Sequence, residues 1–174
     1  MDDDFANPDE AGEIRGRWRE DPDSVRERLI SRLAELDIDT DRLSWLSLQE
    51  SRSVTQRWID LGAQRYGGLA LHPPPGSDAR HAEYADGVPL SWLATTPREV
   101  FLLFFRPSPG GLLARSDFGF AIANLPALAH ADGDGFGALT RDLEGVLLVN
   151  LDERPGKSAL EIDAWGEFVR DDRG

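Results

Sequence analysis

Cysteine is absent from this chain of 174 residues. Without a thiol there is no disulfide, thiolate nucleophile, iron–sulfur ligand or cysteine zinc site. The 40% of hydrophobic residues, with five Trp and eight Phe among them, are enough to build a core without a covalent cross-link. This length predicts about one domain, and the lack of cysteine is typical of a reducing compartment.

Long apolar runs are also missing. The longest extends from Val100 to Phe105, whereas a membrane-spanning helix needs about 20 apolar residues. The first residues, Met1-Asp2-Asp3-Asp4, are acidic, whereas a secretory signal peptide opens with a basic segment and continues with an apolar one. We therefore predict a cytoplasmic protein with no membrane partner.

Basic residues are in the minority. The chain has 19 Lys and Arg, of which Lys157 is the only Lys, against 32 Asp and Glu, for a net charge of −13. A field of this sign repels phosphate backbones, so we do not expect nucleic-acid binding. The same field attracts a basic protein and accelerates its association. The acidity has two simpler interpretations: solubility alone, and adaptation to salt in a GC-rich genome, which the excess of Arg over Lys indicates.

The N-terminal half carries helical patterns. Apolar residues at spacings of three and four predict a helix from Val25 to Leu36, capped by Asp23 or Ser24. A short helix follows with Thr40 as its cap, and another is predicted from about Gln49 to Tyr66.

The C-terminal half carries strand patterns. The segment from Pro73 to about Gly87 is rich in turn residues and is predicted to be a loop. A capping box at Thr96 to Glu99 predicts a helix, but the apolar run from Val100 lacks a helical period and favours a buried strand, which we prefer. Segments at Gly145–Leu151 and Ser158–Phe168 flank a Pro-Gly turn and predict a β-hairpin.

One segment, Asp132-Gly133-Asp134-Gly135-Phe136-Gly137, resembles the first half of an EF-hand calcium loop. Asp132 and Asp134 fill the first and third positions of that loop. Phe136 occupies the fifth ligand position and Leu143 the twelfth, where a bidentate Glu is required. We predict an acidic turn without a metal.

Catalytic motifs are scarce. The three histidines lack the spacing that places two imidazoles on one helix face for zinc. His81, with Glu83 and Tyr84 in the predicted loop, is the best candidate for an acid–base site, although a solvated loop histidine is the commoner case. There is neither a Gly-x-Ser-x-Gly nucleophile motif nor a Gly-x-x-x-x-Gly-Lys phosphate loop. We predict no enzymatic activity and no cofactor.

Acidic residues cluster around the predicted hairpin, opposed only by Arg141 and Arg154. If the hairpin lies at a sheet edge, it presents carboxylates to a basic partner or adds a strand to it. A solvated turn is the alternative. The candidate partner-binding residues are Asp132, Asp134, Asp142, Glu144, Asp152 and Glu153.

Three segments of the chain resemble small bacterial immunity proteins of contact-dependent growth-inhibition systems: Phe104-Phe105-Arg106, Ser116 to Pro126 and Glu161 to Gly166. The resemblance covers roughly the C-terminal half. It implies a cytoplasmic, non-enzymatic protein that neutralises a cognate toxin domain, frequently a nuclease, by occluding its active site. The folds and interfaces of such proteins vary, so no binding residue is carried over.

Together these patterns predict a disordered acidic tail at 1–12 and a single α+β domain at 13–174, with N-terminal helices packed on a mostly antiparallel C-terminal sheet that ends in a β-hairpin. The predicted function is that of an immunity protein for a basic, nuclease-type toxin domain. Two alternatives stay open. One is a small hydrolase or calcium-dependent enzyme that uses Asp117, His81 or the Asp132 loop, and the other is an acidic adaptor or secretion chaperone.

Overall fold

The computed structural model describes residues 21–66, 73–74, 76–84, 90–94, 98–104, 112–154 and 157–170. The predicted tail at 1–12 lies outside these residues. The described helices are α1 (Pro22–Glu35), α2 (Leu48–Tyr66), α3 (Phe118–Ala123) and α4 (Leu125–Asp132). The strands are β1 (Ser44–Trp45), β2 (Arg80–Tyr84), β3 (Glu99–Phe104), β4 (Leu112–Asp117), β5 (Gly135–Thr140), β6 (Val146–Arg154) and β7 (Lys157–Trp165).

The seven strands form one sheet in the order β1-β4-β3-β5-β6-β7-β2, and all neighbours are antiparallel. Helices α1 and α2 precede most of it in the chain. The predicted α+β class, with N-terminal helices and a mostly antiparallel sheet, is confirmed.

Helix α1 confirms the first predicted helix, with a different cap. The side chain of Asp21 accepts a hydrogen bond from the backbone N–H of Ser24 at 3.2 Å, and Pro22 occupies the first turn, where its missing N–H costs nothing. Leu29 and Leu33 lie one turn apart and are buried.

Helix α2 confirms the predicted helix near Gln49–Tyr66. It begins with a capping box in which the Ser47 N–H donates to the Glu50 carboxylate at 2.9 Å and the Glu50 N–H donates to Ser47 Oγ at 3.2 Å. Trp58 lies buried on its inner face. No described helix is both long enough and apolar enough to cross a membrane.

The short helix predicted after Thr40 is only partly present. Residues Thr40–Arg42 form one 3₁₀ turn, and the chain then extends into β1. The Leu46 N–H donates to the Leu113 carbonyl at 3.0 Å, which continues the pairing with β4. Pairing with β4 supplies the backbone hydrogen bonds that a second helical turn would have supplied.

Strand β3 confirms the preference for a strand over a helix in this segment. It lies between β4 and β5, and its residues from Val100 to Phe104 are buried on both faces. A strand covered on both faces reads as a continuous apolar run without alternation, which accounts for the conflicting sequence signals.

The predicted hairpin is confirmed by the pairing of β6 with β7, which runs from Val146 opposite Trp165 to Arg154 opposite Lys157. The hairpin does not lie at the sheet edge, because β2 pairs with the other side of β7. Strand β2 covers Leu160–Ala164 of β7, so no further strand can add to the hairpin along that stretch. The prediction of a loop throughout Pro73–Gly87 is wrong at Arg80–Tyr84, the strand that covers this edge.

Two hydrophobic layers enclose the sheet. On one face α1, α3 and α4 pack with residues such as Phe104, Phe136 and Ile162. On the other face Trp58 of α2 packs with Phe101 and Trp165. This second layer covers only part of its face, because farther along β6 and β7 the same face carries polar residues.

Candidate functional site

The structure distributes the predicted partner-binding residues over several places. Asp132 is the last residue of α4 and only 3% exposed, so a partner cannot reach it without local unfolding. Asp134 precedes β5, whereas Asp142 and Glu144 follow it. The six residues of β5 separate these two groups by about 20 Å. Asp152 lies on β6, and the side chain of Glu153 lies outside the described part of the chain.

The segment predicted as an acidic turn at Asp132–Gly137 is the end of one element and the start of another. Gly133 ends α4 with a φ of 91°, and β5 starts at Gly135. A Cβ on Gly135 would lie 2.0 Å from the carbonyl oxygen of Val149, so only glycine fits there. Among the described residues, no three or more His, Asp or Glu side chains are placed so that they could hold one metal ion.

The residues of the alternative catalytic hypotheses have other roles. The Asp117 carboxylate accepts a hydrogen bond from the Phe120 N–H at 3.2 Å and caps α3. His81 and Glu83 project from one face of β2, whereas Tyr84 packs against the hydrophobic layer on the other face. The proposed His81, Glu83 and Tyr84 group is therefore split by the sheet.

The register of β6, β7 and β2 assembles acidic side chains that the sequence keeps apart. Residues directly opposite each other in an antiparallel pair project from the same face, as do residues two positions apart along one strand. Glu83 lies opposite Glu161, and Asp163 lies two residues farther along β7. Asp152 belongs to the same face, because Asn150, two residues before it on β6, lies opposite Glu161. We call Asp152, Glu161, Asp163 and Glu83 the carboxylate surface.

The carboxylate surface is open to solvent. Glu83 is exposed, and Asp152, Glu161 and Asp163 are half-buried. Helix α2 packs over the neighbouring part of this face, where Trp58 contacts the layer that contains Leu148 and Trp165. Arg154 and Lys157 occupy the last positions of the face at the hairpin turn, and their side chains lie outside the described part of the structure.

One histidine interrupts the carboxylate surface. His81 Nδ1 lies 2.8 Å from Asp163 Oδ1, with 59% of the His81 side chain exposed and 26% of the Asp163 side chain. The pair is formed across β2 and β7, which place the two residues directly opposite each other. Its exposure leaves it in contact with water.

Sequence reasoning missed three members of the carboxylate surface: Glu83, Glu161 and Asp163. The signal was present in β7, where Glu161 and Asp163 alternate with the apolar Ile162 and Ala164. Assigning Arg80–Tyr84 to a loop removed the strand that brings Glu83 opposite them. Only the pairing of β2 with β7 reveals this juxtaposition.

Comparisons with protein-family models, curated proteins and solved structures find no match to this chain.

Proposed function

We propose that the chain binds a basic protein domain through the carboxylate surface, and that it acts as an immunity protein that neutralises a cognate toxin of the nuclease type. The observation that carries this proposal is the placement of Glu83 directly opposite Glu161, with Asp152 and Asp163 on the same face.

The pair of Glu83 and Glu161 brings two like charges together across β2 and β7. Like charges at directly opposite positions of an antiparallel pair destabilise the sheet, whereas other positions on the same face carry apolar pairs such as Val146 and Trp165. Places where a sequence departs from local stability rules are typical of functional sites. Lys or Arg side chains of a partner that dock between the carboxylates form ion pairs with them.

The chemistry of a nuclease supplies a suitable partner. Such a domain holds the phosphates of its substrate with Lys and Arg side chains. Carboxylates on a protein of net charge −13 compete for the same cations. Long-range attraction between the opposite charges also accelerates the encounter of the two proteins. Occupation of the phosphate-binding residues then excludes the nucleic acid.

The experiment compares two charge-reversed variants that differ only in location. Glu83→Lys with Glu161→Lys alters the carboxylate surface and keeps like charges opposite each other. Glu27→Lys with Glu35→Lys makes the same change in net charge on α1, where both residues are exposed. Each chain is immobilised and used to capture proteins from the lysate of its own organism. The captured protein is then tested for nuclease activity with and without added chain.

The proposal expects that the native chain and the α1 variant retain the same basic protein and suppress its nuclease activity, and that the carboxylate-surface variant does neither. Equal retention by both variants would rule out the carboxylate surface. A retained protein whose activity on nucleic acid is unaffected by the chain would rule out the immunity function.

A further inference from the structure

A polar groove of about 260 Å³ lies near the ends of β1, β4 and β3, at the opposite end of the strand order from the carboxylate surface. Its volume is slightly below the roughly 300–1,000 Å³ of pockets for drug-sized ligands, so it suits one small molecule. It is lined by two arginines, two carboxylates and two hydroxyl-bearing residues: Arg42, Arg115, Glu99, Asp117, Ser44 and Ser116.

The two arginines of the groove keep their hydrogen-bond donors available. Among the described residues, neither guanidinium group forms an ion pair or a hydrogen bond. That of Arg42 lies over the ring of Phe120 at 5.5 Å, a contact that orients the group and leaves its N–H groups unused. The Ser116 hydroxyl donates to the Arg42 carbonyl at 3.0 Å and fixes the backbone at this position.

Arg115 lies on β4, opposite Ser44 of β1. Its charge attracts Glu50 at long range and adds a small contribution to the lowered pKa of that carboxyl, which hydrogen bonds from Ser47 cause in the main.

The two carboxylates of the groove lie directly opposite each other, Glu99 on β3 and Asp117 on β4. Each has one oxygen engaged: Glu99 Oε1 lies 3.5 Å from Arg141 Nε, and Asp117 Oδ1 caps α3. The second oxygen of each remains available to a donor. Arg115 is two residues from Asp117 on the same face of β4. The Cα atoms of this cationic residue and this anionic residue are therefore about 7 Å apart.

We propose that this groove binds the zwitterionic head of a free α-amino acid. Arg42 and Arg115 receive its carboxylate, for which guanidinium groups have matching geometry. Glu99 and Asp117 receive its ammonium group, which supplies the cation that two opposed carboxylates favour. A phosphate or a simple carboxylate satisfies the arginines and is repelled by both acids, so a ligand that carries both charges fits best.

The test uses ¹H–¹⁵N spectra of the full chain during titration with L-alanine, L-leucine, L-phenylalanine, L-glutamate and L-lysine, which sample the main side-chain classes. N-acetyl-L-alanine and L-alanine amide lack one of the two charges, and inorganic phosphate is the simple anion. Arg115→Gln removes a cation of the groove, and Glu99→Gln removes an anion. Arg57→Gln is the control, because Arg57 is exposed on α2 and is not among the residues that line the groove.

The proposal expects at least one free amino acid to shift the amide signals of Ser44, Glu99 and Arg115, and its Kd to rise at least about tenfold in Arg115→Gln and Glu99→Gln but not in Arg57→Gln. Blocking either charge of the ligand should weaken binding similarly. Equal binding of phosphate or N-acetyl-L-alanine would overturn the zwitterion proposal. Binding unaffected by Arg115→Gln, or no shift with any amino acid while the native fold is intact, would overturn the site.

Discussion

The hydroxyl of Thr140 donates a hydrogen bond to the carboxylate of Asp142 at 2.6 Å and holds the turn that joins β5 to β6. The same Thr140 oxygen accepts from the Gly145 N–H at 2.8 Å, and Asp142 accepts from the Glu144 N–H at 3.0 Å. These bonds fix Leu143 in a left-handed conformation, with a φ of 67°, that a leucine rarely adopts. Asp142, a predicted partner-binding residue, therefore has a structural role.

The first prediction concerns the pH dependence of this turn. The hydrogen bond from Thr140 is the main cause of a lowered pKa of Asp142, and the Glu144 N–H adds to it. The ionised carboxylate therefore stabilises the folded chain at and above the usual carboxyl pKa, and this contribution is lost as pH falls through the lowered pKa. Asp142→Asn should lower the free energy of unfolding by about 0.5–1 kcal/mol at neutral pH, and by progressively less in acid.

Denaturant unfolding at several pH values measures this difference. Thr140→Val supplies the control, because without the hydroxyl donor the Asp142→Asn substitution should have a much smaller and flatter effect. If the loss of stability in Asp142→Asn stays constant from neutral to acidic pH, the ionised carboxylate of Asp142 is not the source of the stabilisation.

The second prediction compares two glycines with positive φ. Gly166 has a φ of 66°, and a Cβ there would lie 2.0 Å from the Glu144 carbonyl oxygen. Gly76 has a φ of 76° and no atom within 4 Å of such a Cβ. Gly166→Ala should lower the free energy of unfolding by about 2–4 kcal/mol, and Gly76→Ala by about 1 kcal/mol. Thermal and denaturant unfolding of the two variants test this prediction. Equal losses of stability would show that the positive φ alone, and not the contact with the Glu144 carbonyl oxygen, disfavours alanine at position 166.

The parts of the fold that could be predicted from sequence are those with a strong local period. Leu29 and Leu33 mark the inner face of α1, and Leu160 and Ile162 alternate with acidic residues in β7. In each case the local order of apolar and polar residues is enough to predict which face is buried, and the structure agrees with that prediction.

The strands that could not be predicted form because neighbouring strands in the sheet pair with them. Strand β2 is short and exposes Arg80, His81 and Glu83; charged residues are common on edge strands, where they discourage further pairing. Strand β5 begins with Gly135 and contains Gly137, residues typical of turns. Both are strands because β6 and β7 supply hydrogen-bonding partners, a long-range effect with no local signature. The carboxylate surface depends on that same pairing.

The third prediction concerns the attachment of the C-terminal segment to the core. The rings of Phe118 in α3 and Phe168 in the 3₁₀ turn Gly166–Phe168 stack at 4.3 Å between centroids, and both are fully buried. Phe168→Ala should cost about 3–5 kcal/mol, because it removes the ring and leaves a cavity. Phe168→Leu should cost less, because it keeps most of the volume.

A double-mutant cycle of Phe118→Leu and Phe168→Leu, measured by urea unfolding, isolates the ring-to-ring contact. A coupling of about 0.5–1.5 kcal/mol is expected for stacked rings. Strictly additive losses would show that the two rings stabilise the core independently.

The fourth prediction separates the two groups of carboxylates that lie at opposite ends of β5. Asp152 belongs to the carboxylate surface, and Glu144 lies in the turn beyond Thr140. Asp152→Lys and Glu144→Lys make the same change in net charge, so long-range attraction to a basic partner falls equally in both. Only Asp152→Lys also places a repulsive charge within the proposed interface. We expect association with the captured basic protein to slow by about tenfold more in Asp152→Lys than in Glu144→Lys, and this difference in rate to narrow as salt screens the charges.

Stopped-flow or surface-plasmon measurements at low and high salt give the association rates of both variants. If the two substitutions slow association alike, net charge and not the carboxylate surface governs binding; if Glu144→Lys has the larger effect, the partner docks at the other end of the strand.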